Sequence, residues 1–276
     1  MPKIILAILL LTFTASSSFA GEVFDRVIKS GKLRCSYGVY DPSIIKDPNT
    51  GELSGIFYEL TNELGKRLGL KIEWSEEVGY GVIAEGFRTK RYDAFCATVY
   101  PTPDRVKSAM FSIPLYYNIV GVFVRADDTR FDKDYSLLDN VEHTLAVKDG
   151  DITHAIAKAR FPLAKQISIP QQALTVQQLM EVASKKADAT FNDVYLLHRY
   201  NKNNPEKKLK NVAASNPLKY LPNTFMLPPN EPQLKHMFDV TLSEMVAEGV
   251  VEEILKKYDK PGAVNIRPSA PFEISQ

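Results

Sequence analysis

The chain has 276 residues, of which 45% are hydrophobic and 24% are charged, and its formal net charge at pH 7 is +1. A net charge this close to zero, with no basic block beyond a short patch at 207–210, argues against nucleic acid as a partner. The four histidines are scattered without ligand spacing, so we expect neither a metal nor a cofactor.

The first 20 residues predict a secretory signal peptide. One cation, Lys3, precedes an apolar run from Ile4 to Phe13, and small residues lead to Ala20. An apolar run of about ten residues is too short to span a bilayer. We therefore expect cleavage after Ala20 and a periplasmic mature chain; the alternative is an uncleaved anchor.

Strand and helix signals alternate through the first half of the mature chain. Leucines and isoleucines after Gly55 recur every four residues, which predicts an amphipathic helix that ends at Gly69. The predicted strands lie at 32–37, 71–75 and 93–99, and further helices lie at 22–30 and within 80–90. Strands separated by helices predict an α/β fold with a parallel sheet and ligand chemistry at the carboxyl ends of its strands.

The stretch 93–118 carries the strongest local signals. Thr102 suits a helix N-cap, Pro103 the first helical position and Asp104 the positive helix end, so the pattern predicts a helix with Arg105 in its first turn. An arginine beside free backbone N–H groups is suited to hold a carboxylate. The alternative is that Arg105 pairs with Asp104 on a solvated face.

The alternation restarts in the second half. The predicted strands lie at 119–125, 144–148, 166–169 and 188–192, and helices lie at 152–160, 176–185, 194–200 and, broken at Gly249, between 232 and 258. Thr175 and Gln178 have the spacing of a capping box for the helix at 176–185. Residues 261–276 have no periodicity, which predicts an extended or disordered tail.

Eight short motifs occur in a fixed order along this pattern. They are Gly31-Lys32-Leu33-Arg34, Gly51-Glu52-Leu53-Ser54-Gly55, Gly65-Lys66-Arg67-Leu68-Gly69, Tyr92-Asp93-Ala94, Thr102-Pro103-Asp104-Arg105, Phe111-Ser112-Ile113-Pro114-Leu115-Tyr116-Tyr117, Ala187-Asp188-Ala189, and Glu248-Gly249 through Tyr258. In this order the chain resembles the type II periplasmic solute-binding proteins of polar amino-acid ABC transporters, bacterial extracellular solute-binding protein family 3. The resemblance spans residues 31–259.

The resemblance implies a two-lobe, periplasmic-binding-protein-like II fold. Each lobe would be a mostly parallel sheet flanked by helices, and two crossover strands near 116–120 and 221–225 would form a hinge that closes over a small ligand. Lobe 1 would comprise 21–118 and 223–260, and lobe 2 would comprise 119–222. The implied strand order makes Cys35 and Cys96 neighbours, either as a disulfide or as two buried free thiols.

The resemblance also implies a binding site for a zwitterion. Arg105 matches an arginine that holds the ligand's α-carboxylate, and Asp193 matches an aspartate that takes the α-ammonium group. A fork-shaped cation and a carboxylate are the groups that an amino acid requires. For Asp193 the alternative role is the N-cap of the helix that starts at Val194.

Several positions depart from the family pattern. Tyr100 replaces a small hydroxyl residue, Thr98 replaces a frequent glycine, and Tyr37 replaces an acidic or small residue. In lobe 2 the usual Gly-Thr turn carries Asp151 and Thr153, and the charge of Asp151 would oppose an anionic ligand group there. These departures affect ligand identity rather than fold.

Tyrosines cluster at the strand ends that face the implied cleft: Tyr37, Tyr40, Tyr80, Tyr100, Tyr116 and Tyr117. A tyrosine can stack on a planar or cationic group and also offer its hydroxyl. Tyr37 and Tyr100 are the strongest candidates for ligand contact. For any one of these tyrosines, ordinary packing is the alternative.

Three functions fit these observations. The first is a monomeric, non-enzymatic receptor that captures an amino acid or similar small zwitterion and delivers it to the membrane permease of an ABC transporter. The second is a periplasmic cyclohexadienyl dehydratase on the same fold. Its Asn-Pro-Gly-Gly-Thr turn is not matched by the Lys148-Asp149-Gly150-Asp151 turn of this chain. The third is a sensory solute receptor.

Overall fold

The structure is a computed structural model that describes residues 21–149, 151–170, 173–260 and 266–267. The predicted signal peptide at 1–20 lies outside the described residues, as do 261–265 and 268–276 of the predicted tail. No helix in the described ranges is both long enough and apolar enough to cross a membrane.

The helices follow the predicted order. They are α1 (Glu22–Ser30), α2 (Ile56–Leu68), α3 (Ile83–Arg88), α4 (Ile152–Arg160), α5 (Val176–Ala183), α6 (Val194–Asn203), α7 (Pro232–Ala247) and α8 (Val250–Tyr258). Gly31 and Gly69 end α1 and α2 with φ of 64° and 65°. Glycine takes this left-handed conformation without steric penalty, so both predicted stops are physically explained.

The strands also follow the predicted alternation. They are β1 (Lys32–Tyr37), β2 (Ile45–Lys46), β3 (Leu53–Ser54), β4 (Lys71–Glu77), β5 (Ala94–Val99), β6 (Met110–Phe111), β7 (Tyr116–Arg125), β8 (Thr144–Lys148), β9 (Lys165–Ile169), β10 (Ala189–Asp193), β11 (Leu209–Asn211) and β12 (Lys219–Leu227). All except the β2–β3 hairpin belong to one sheet, whose main order is β4-β1-β5-β12-β7-β10-β8-β9, with β6 on β12 and β11 on β7.

The sheet consists of two similar halves joined at its centre. β1 runs parallel to β4 and β5, and β8 runs parallel to β9 and β10. The central strands β7 and β12 are antiparallel to each other, with Asn118 opposite Leu221 and Tyr116 opposite Asn223. The α/β fold predicted from the sequence is confirmed.

Buried side chains form separate cores on either side of this centre. The first core draws on residues between 27 and 116 and between 225 and 255, whereas the other two draw on residues between 119 and 221. Within the described residues, the chain passes between these cores in β7 and β12. The lobe limits at 118/119 and 222/223 remain a prediction, which this arrangement supports.

Two local predictions are wrong. The residues after Thr102 form only a three-residue 3₁₀ turn, Arg105–Lys107, because the chain must extend at Met110 to pair β6 with β12. Thr102 still caps this turn, since its hydroxyl accepts the Arg105 N–H at 3.3 Å. Thr175 makes no capping bond to α5, because its own backbone is helical, with φ −57° and ψ −30°, and the Gln178 side chain is buried in the core.

The described part of the tail contacts the molecule. Ile266 and Tyr117 exchange two backbone hydrogen bonds of 2.7 and 2.9 Å. Arg267 forms ion pairs with Glu252 and Asp259. At these two residues the tail is therefore extended and docked on β7 and α8.

Cys35 and Cys96 are joined by a disulfide, and both are fully buried, with their Cα atoms 5.5 Å apart. β1 and β5 are adjacent parallel strands, which brings the two cysteines together. The bridge closes a loop with a sequence separation of 61 residues. Closing a loop of this length restricts the unfolded chain and stabilises the folded state.

Removing this bridge by a Cys35→Ala/Cys96→Ala double substitution is expected to lower the free energy of unfolding by roughly 2–4 kcal/mol. Urea unfolding of the two proteins, with and without reductant, measures the effect. Reductant should destabilise the natural chain and leave the double variant unchanged. Equal stability of both proteins under oxidising conditions would contradict a stabilising disulfide.

Candidate functional site

Arg105 lies in the turn after β5, and its guanidinium group points back to that strand. Its Nη1 donates to the Tyr100 carbonyl oxygen at 2.8 Å. The neighbouring Asp104 pairs with Lys107 at 2.9 Å, so the proposed Arg105–Asp104 pair is wrong. In the described part of the chain no carboxylate pairs with Arg105. Its remaining N–H groups are therefore available to an anion.

Asp193 ends β10 and is only 5% exposed. Its Oδ1 accepts the Tyr195 N–H at 2.9 Å, which caps α6, and its Oδ2 accepts from the Asn118 side-chain amide. Burial raises the pKa of this carboxyl to about 7, while the two hydrogen bonds act in the opposite direction. No described basic side chain forms an ion pair with it. Capping uses one oxygen, so it does not exclude ligand binding.

The charge of this carboxyl acts on three tyrosines. Burial raises the pKa values of Tyr40, Tyr100 and Tyr116 far above the ordinary value, and for each of them the nearby charge of Asp193 is the next cause. A negative charge opposes the ionisation of a nearby phenol, most strongly in a medium of low polarity. Asp193 is therefore electrostatically coupled to three neutral phenols.

Tyr80 connects the two sides of the site. Burial raises the pKa of its phenol, Arg105 lowers it, and Asp151 raises it. Asp151 also raises the pKa of Tyr40. Charges from the turn after β5 and from the start of α4 thus both act on Tyr80.

Further contacts join residues from the two halves of the sheet. Arg199 on α6 forms an ion pair with Asp41, which follows β1, at 3.3 Å. Tyr100, which follows β5, packs against the same hydrophobic cluster as Ile152 of α4. Groups from both halves of the sheet therefore meet at the carboxyl ends of its parallel strands, as the α/β pattern predicts.

The structure does not bring the side chains of Thr153 or Tyr37 together with Arg105 or Asp193. Thr153 is fully buried, and its hydroxyl oxygen accepts from the Lys148 N–H at 3.1 Å and from the Gln178 amide at 2.8 Å. Tyr37 is 9% exposed and packs edge-on against Trp74 of β4, with ring centroids 5.8 Å apart. Both side chains are occupied by packing or by internal hydrogen bonds.

The polar groups of Thr98 and Asp151 are partly occupied by hydrogen bonds within the protein. The Thr98 N–H donates to Ser43 Oγ at 2.8 Å, and its hydroxyl donates to the Asn223 side chain. The Asp151 carboxylate accepts the Thr153 N–H at 3.0 Å, which caps α4. This helix start is thus satisfied by its own side chain.

Sequence reasoning missed Asn118 and Asn223, which are 5% and 0% exposed on the two central strands. The sequence contains a signal for both, since a polar amide in an otherwise apolar strand requires a buried hydrogen-bond partner. Gln178 was assigned to a helix cap, but its amide bonds Thr153 and Asn192 instead. Among the described residues no group of three or more His, Cys, Asp and Glu side chains could hold a metal ion.

The sequence profile of the bacterial extracellular solute-binding proteins, family 3, matches residues 35–261. A probable amino-acid ABC transporter-binding protein of Haemophilus influenzae is 26% identical over 92% of this chain and 96% of its own length. The L-cystine-binding protein TcyA of Bacillus subtilis is 24% identical over 86% of this chain and 85% of its own length.

Solved structures share the fold. The ancestral amino acid-binding protein AncCDT-1, described as a precursor of cyclohexadienyl dehydratase, is 25% identical. The alignment has a TM-score of 0.71 and covers 86% of this chain and 98% of that protein. A putative binding component of an ABC transporter from Wolinella succinogenes, complexed with lysine, gives a TM-score of 0.72 at 21% identity, covering 83% and 95%.

The buried Asp193 predicts an unusual pH dependence of stability. Its pKa is raised in the folded state, so the stability it contributes is present below about pH 4 and is lost as the pH rises through 7. Asp193→Asn removes this titration. The stability difference between this variant and the natural chain should shift in the variant's favour by about 2–3 kcal/mol from pH 5 to pH 8.

Urea unfolding across this pH range measures the difference. Asp134→Asn is the matched control, because Asp134 also caps a helical turn but has a lowered pKa and does not titrate in this range. A pH-independent difference between Asp193→Asn and the natural chain would contradict a raised pKa at Asp193.

Proposed function

Because the chain belongs to the bacterial extracellular solute-binding proteins of family 3, we propose that it captures an amino acid or a similar small zwitterion between its lobes for uptake by an ABC transporter. One observation carries the proposal. A guanidinium group in the turn after β5 and a buried carboxylate at the end of β10 each lack an ion-pair partner among the described residues.

The charges of this pair suit both ends of an α-amino acid. Arg105 retains N–H groups that can form parallel charge-assisted hydrogen bonds with a carboxylate. Asp193 accepts two hydrogen bonds from the protein and has further lone pairs for an ammonium group. An ammonium ligand would supply the counter-charge that this buried carboxylate lacks.

The cellular setting completes the proposal. The mature chain would begin after Ala20, reside in the periplasm as a monomer, and hand its ligand to a membrane permease. The relatives described above as ABC transporter-binding proteins support this assignment. The lobes would close over the ligand by bending β7 and β12, the two connections between the cores.

A thermal-shift screen of the natural amino acids, followed by calorimetry of the best ligand, tests the proposal. Arg105→Ala should weaken binding by about 30-fold or more, because truncating one partner of a desolvated charge pair costs about 2–5 kcal/mol. Lys107→Ala is the matched control, since Lys107 is 75% exposed in the same turn and pairs with Asp104. Binding to no amino acid, or equal affinity in Arg105→Ala, would overturn the proposal.

A second function is favoured by one observation. A buried carboxyl with a pKa of about 7 is partly protonated at neutral pH and could donate a proton to a leaving hydroxyl group. This chemistry suits a dehydratase that removes water and carbon dioxide from prephenate. The structural likeness to a precursor of cyclohexadienyl dehydratase supports including it.

Incubation with prephenate distinguishes the two functions. As a receptor, the natural chain should form phenylpyruvate no faster than Asp193→Asn, followed by ultraviolet absorbance at neutral pH. Steady formation of phenylpyruvate by the natural chain, abolished in Asp193→Asn, would establish the dehydratase instead.

A further inference from the structure

A chain of side-chain hydrogen bonds crosses the centre of the sheet. The Thr98 hydroxyl donates to Asn223 Oδ1, and Asn223 Nδ2 donates to Asn118 Oδ1 at 3.0 Å. Asn118 Nδ2 then donates to the Asp193 carboxylate and, at 3.1 Å, to the Tyr100 hydroxyl oxygen. We call Thr98, Asn223 and Asn118 the hinge relay.

The register of the central strands explains why the two asparagines meet. Leu221 lies opposite Asn118, so Asn223 is its diagonal neighbour on the same face of the β7–β12 ribbon. Both amides are almost inaccessible to water. Two buried amides at this position are tolerated only because every donor and acceptor finds a partner.

While Asp193 is ionised, the hydrogen bonds of the hinge relay can run in one donor-to-acceptor direction only. If the Asn118 amide were turned around, its oxygen would face the Asp193 carboxylate and its NH₂ group would face that of Asn223. Both contacts would be repulsive. Each donor in the relay therefore points towards Asp193, and the aligned bonds strengthen one another in an environment of low polarity.

We propose that Asn118 and Asn223 are positioning residues for ligand capture, which hold the Asp193 carboxylate so that its unused lone pairs face the cleft. The role in ligand capture rests on the proposed function, whereas the effect of the two asparagines on the Asp193 carboxyl does not. Asn118 fixes Oδ2 and the Tyr195 N–H fixes Oδ1, so the carboxylate cannot rotate without losing both bonds.

The hinge relay has a second consequence at Tyr100. The hydroxyl oxygen of Tyr100 accepts from Asn118, so its own hydrogen is free to be donated to a ligand acceptor. One amide on β7 thus orients an acceptor at the end of β10 and a donor that follows β5. Because the relay runs through both central strands, a change in their alignment would change this orientation.

Four phenols are electrostatically coupled to Asp193. They are Tyr40 after β1, Tyr100 after β5, Tyr116 of β7 and Tyr195 of α6. Each of these phenols has a raised pKa and stays neutral between pH 5 and 9. A change in the titration midpoint of Asp193 between pH 5 and 9 therefore reports on the hinge relay and on the burial of the carboxyl.

The test follows the side-chain carboxyl resonance of Asp193 by ¹³C NMR in the ligand-free protein, assigned by its loss in Asp193→Asn. Asn118→Ala should raise the titration midpoint by about one pH unit, because the charged form loses a hydrogen bond. Asn223→Ala and Thr98→Val should raise it by less. Thr98→Val keeps the side-chain shape and serves if an asparagine variant fails to fold.

Thr224→Val is the matched control. It removes a buried hydroxyl hydrogen bond to the Val99 carbonyl from the same strand, β12, but lies outside the hinge relay. Its midpoint should equal that of the natural chain. An unchanged midpoint in Asn118→Ala and Thr98→Val, or an equal shift in Thr224→Val, would overturn the positioning role.

Calorimetry at pH 8 with the best amino acid adds the binding result. Asn118→Ala should bind about tenfold more weakly than Thr224→Val, as expected for one lost charge-assisted hydrogen bond. Equal affinities would overturn the role in capture. If the midpoints shift but the natural chain binds no amino acid, the proposed function fails and the effect on the carboxyl stands.

Discussion

The site depends on a carboxylate that is buried without a cation. Removing Asp193 from water raises its pKa to about 7, and the Asn118 amide and the Tyr195 N–H offset only part of this cost. A buried charge is tolerated where the fold satisfies its lone pairs or where a ligand supplies the opposite charge. At Asp193 the protein supplies the hydrogen bonds, and we propose that the ligand supplies the charge.

Asp193 and the proposed matching cation, Arg105, both follow parallel strands of the sheet. Parallel strands expose their carboxyl ends along one edge of each half-sheet, and the segments after β1, β5, β8 and β10 lie at these ends. Arg105 arrives on the turn after β5, and Asp193 stands at the end of β10. In the described part of the chain, the antiparallel pair β7–β12 connects the two halves of the sheet that carry these residues.

Much of this could be predicted from the sequence. Helix stops at Gly31 and Gly69, the strand alternation and the ordered motifs were sufficient for the α/β fold and for the family, both of which are confirmed. The resemblance implied Arg105 and Asp193 as partners for the two ends of a zwitterion, and the chemistry of the two side chains agrees with that proposal. The bond between Cys35 and Cys96 required the strand order, which the resemblance implied.

Other features depend on tertiary contacts that local patterns do not encode. The helix signals around Thr102 were overridden because Met110 pairs with β12 only a few residues later. Tyr37 packs against Trp74 and Gln178 bonds Thr153; both partners come from segments distant in sequence, so local patterns do not reveal them.

The proposed pairing of a zwitterion with Arg105 and Asp193 is tested most directly by proton release during calorimetric binding in buffers of different ionisation enthalpy. With an ammonium group on Asp193, binding should release about half a proton per ligand at pH 7 and about a tenth at pH 8. Binding without proton release at pH 7, or the same release in Asp193→Asn, would contradict the account.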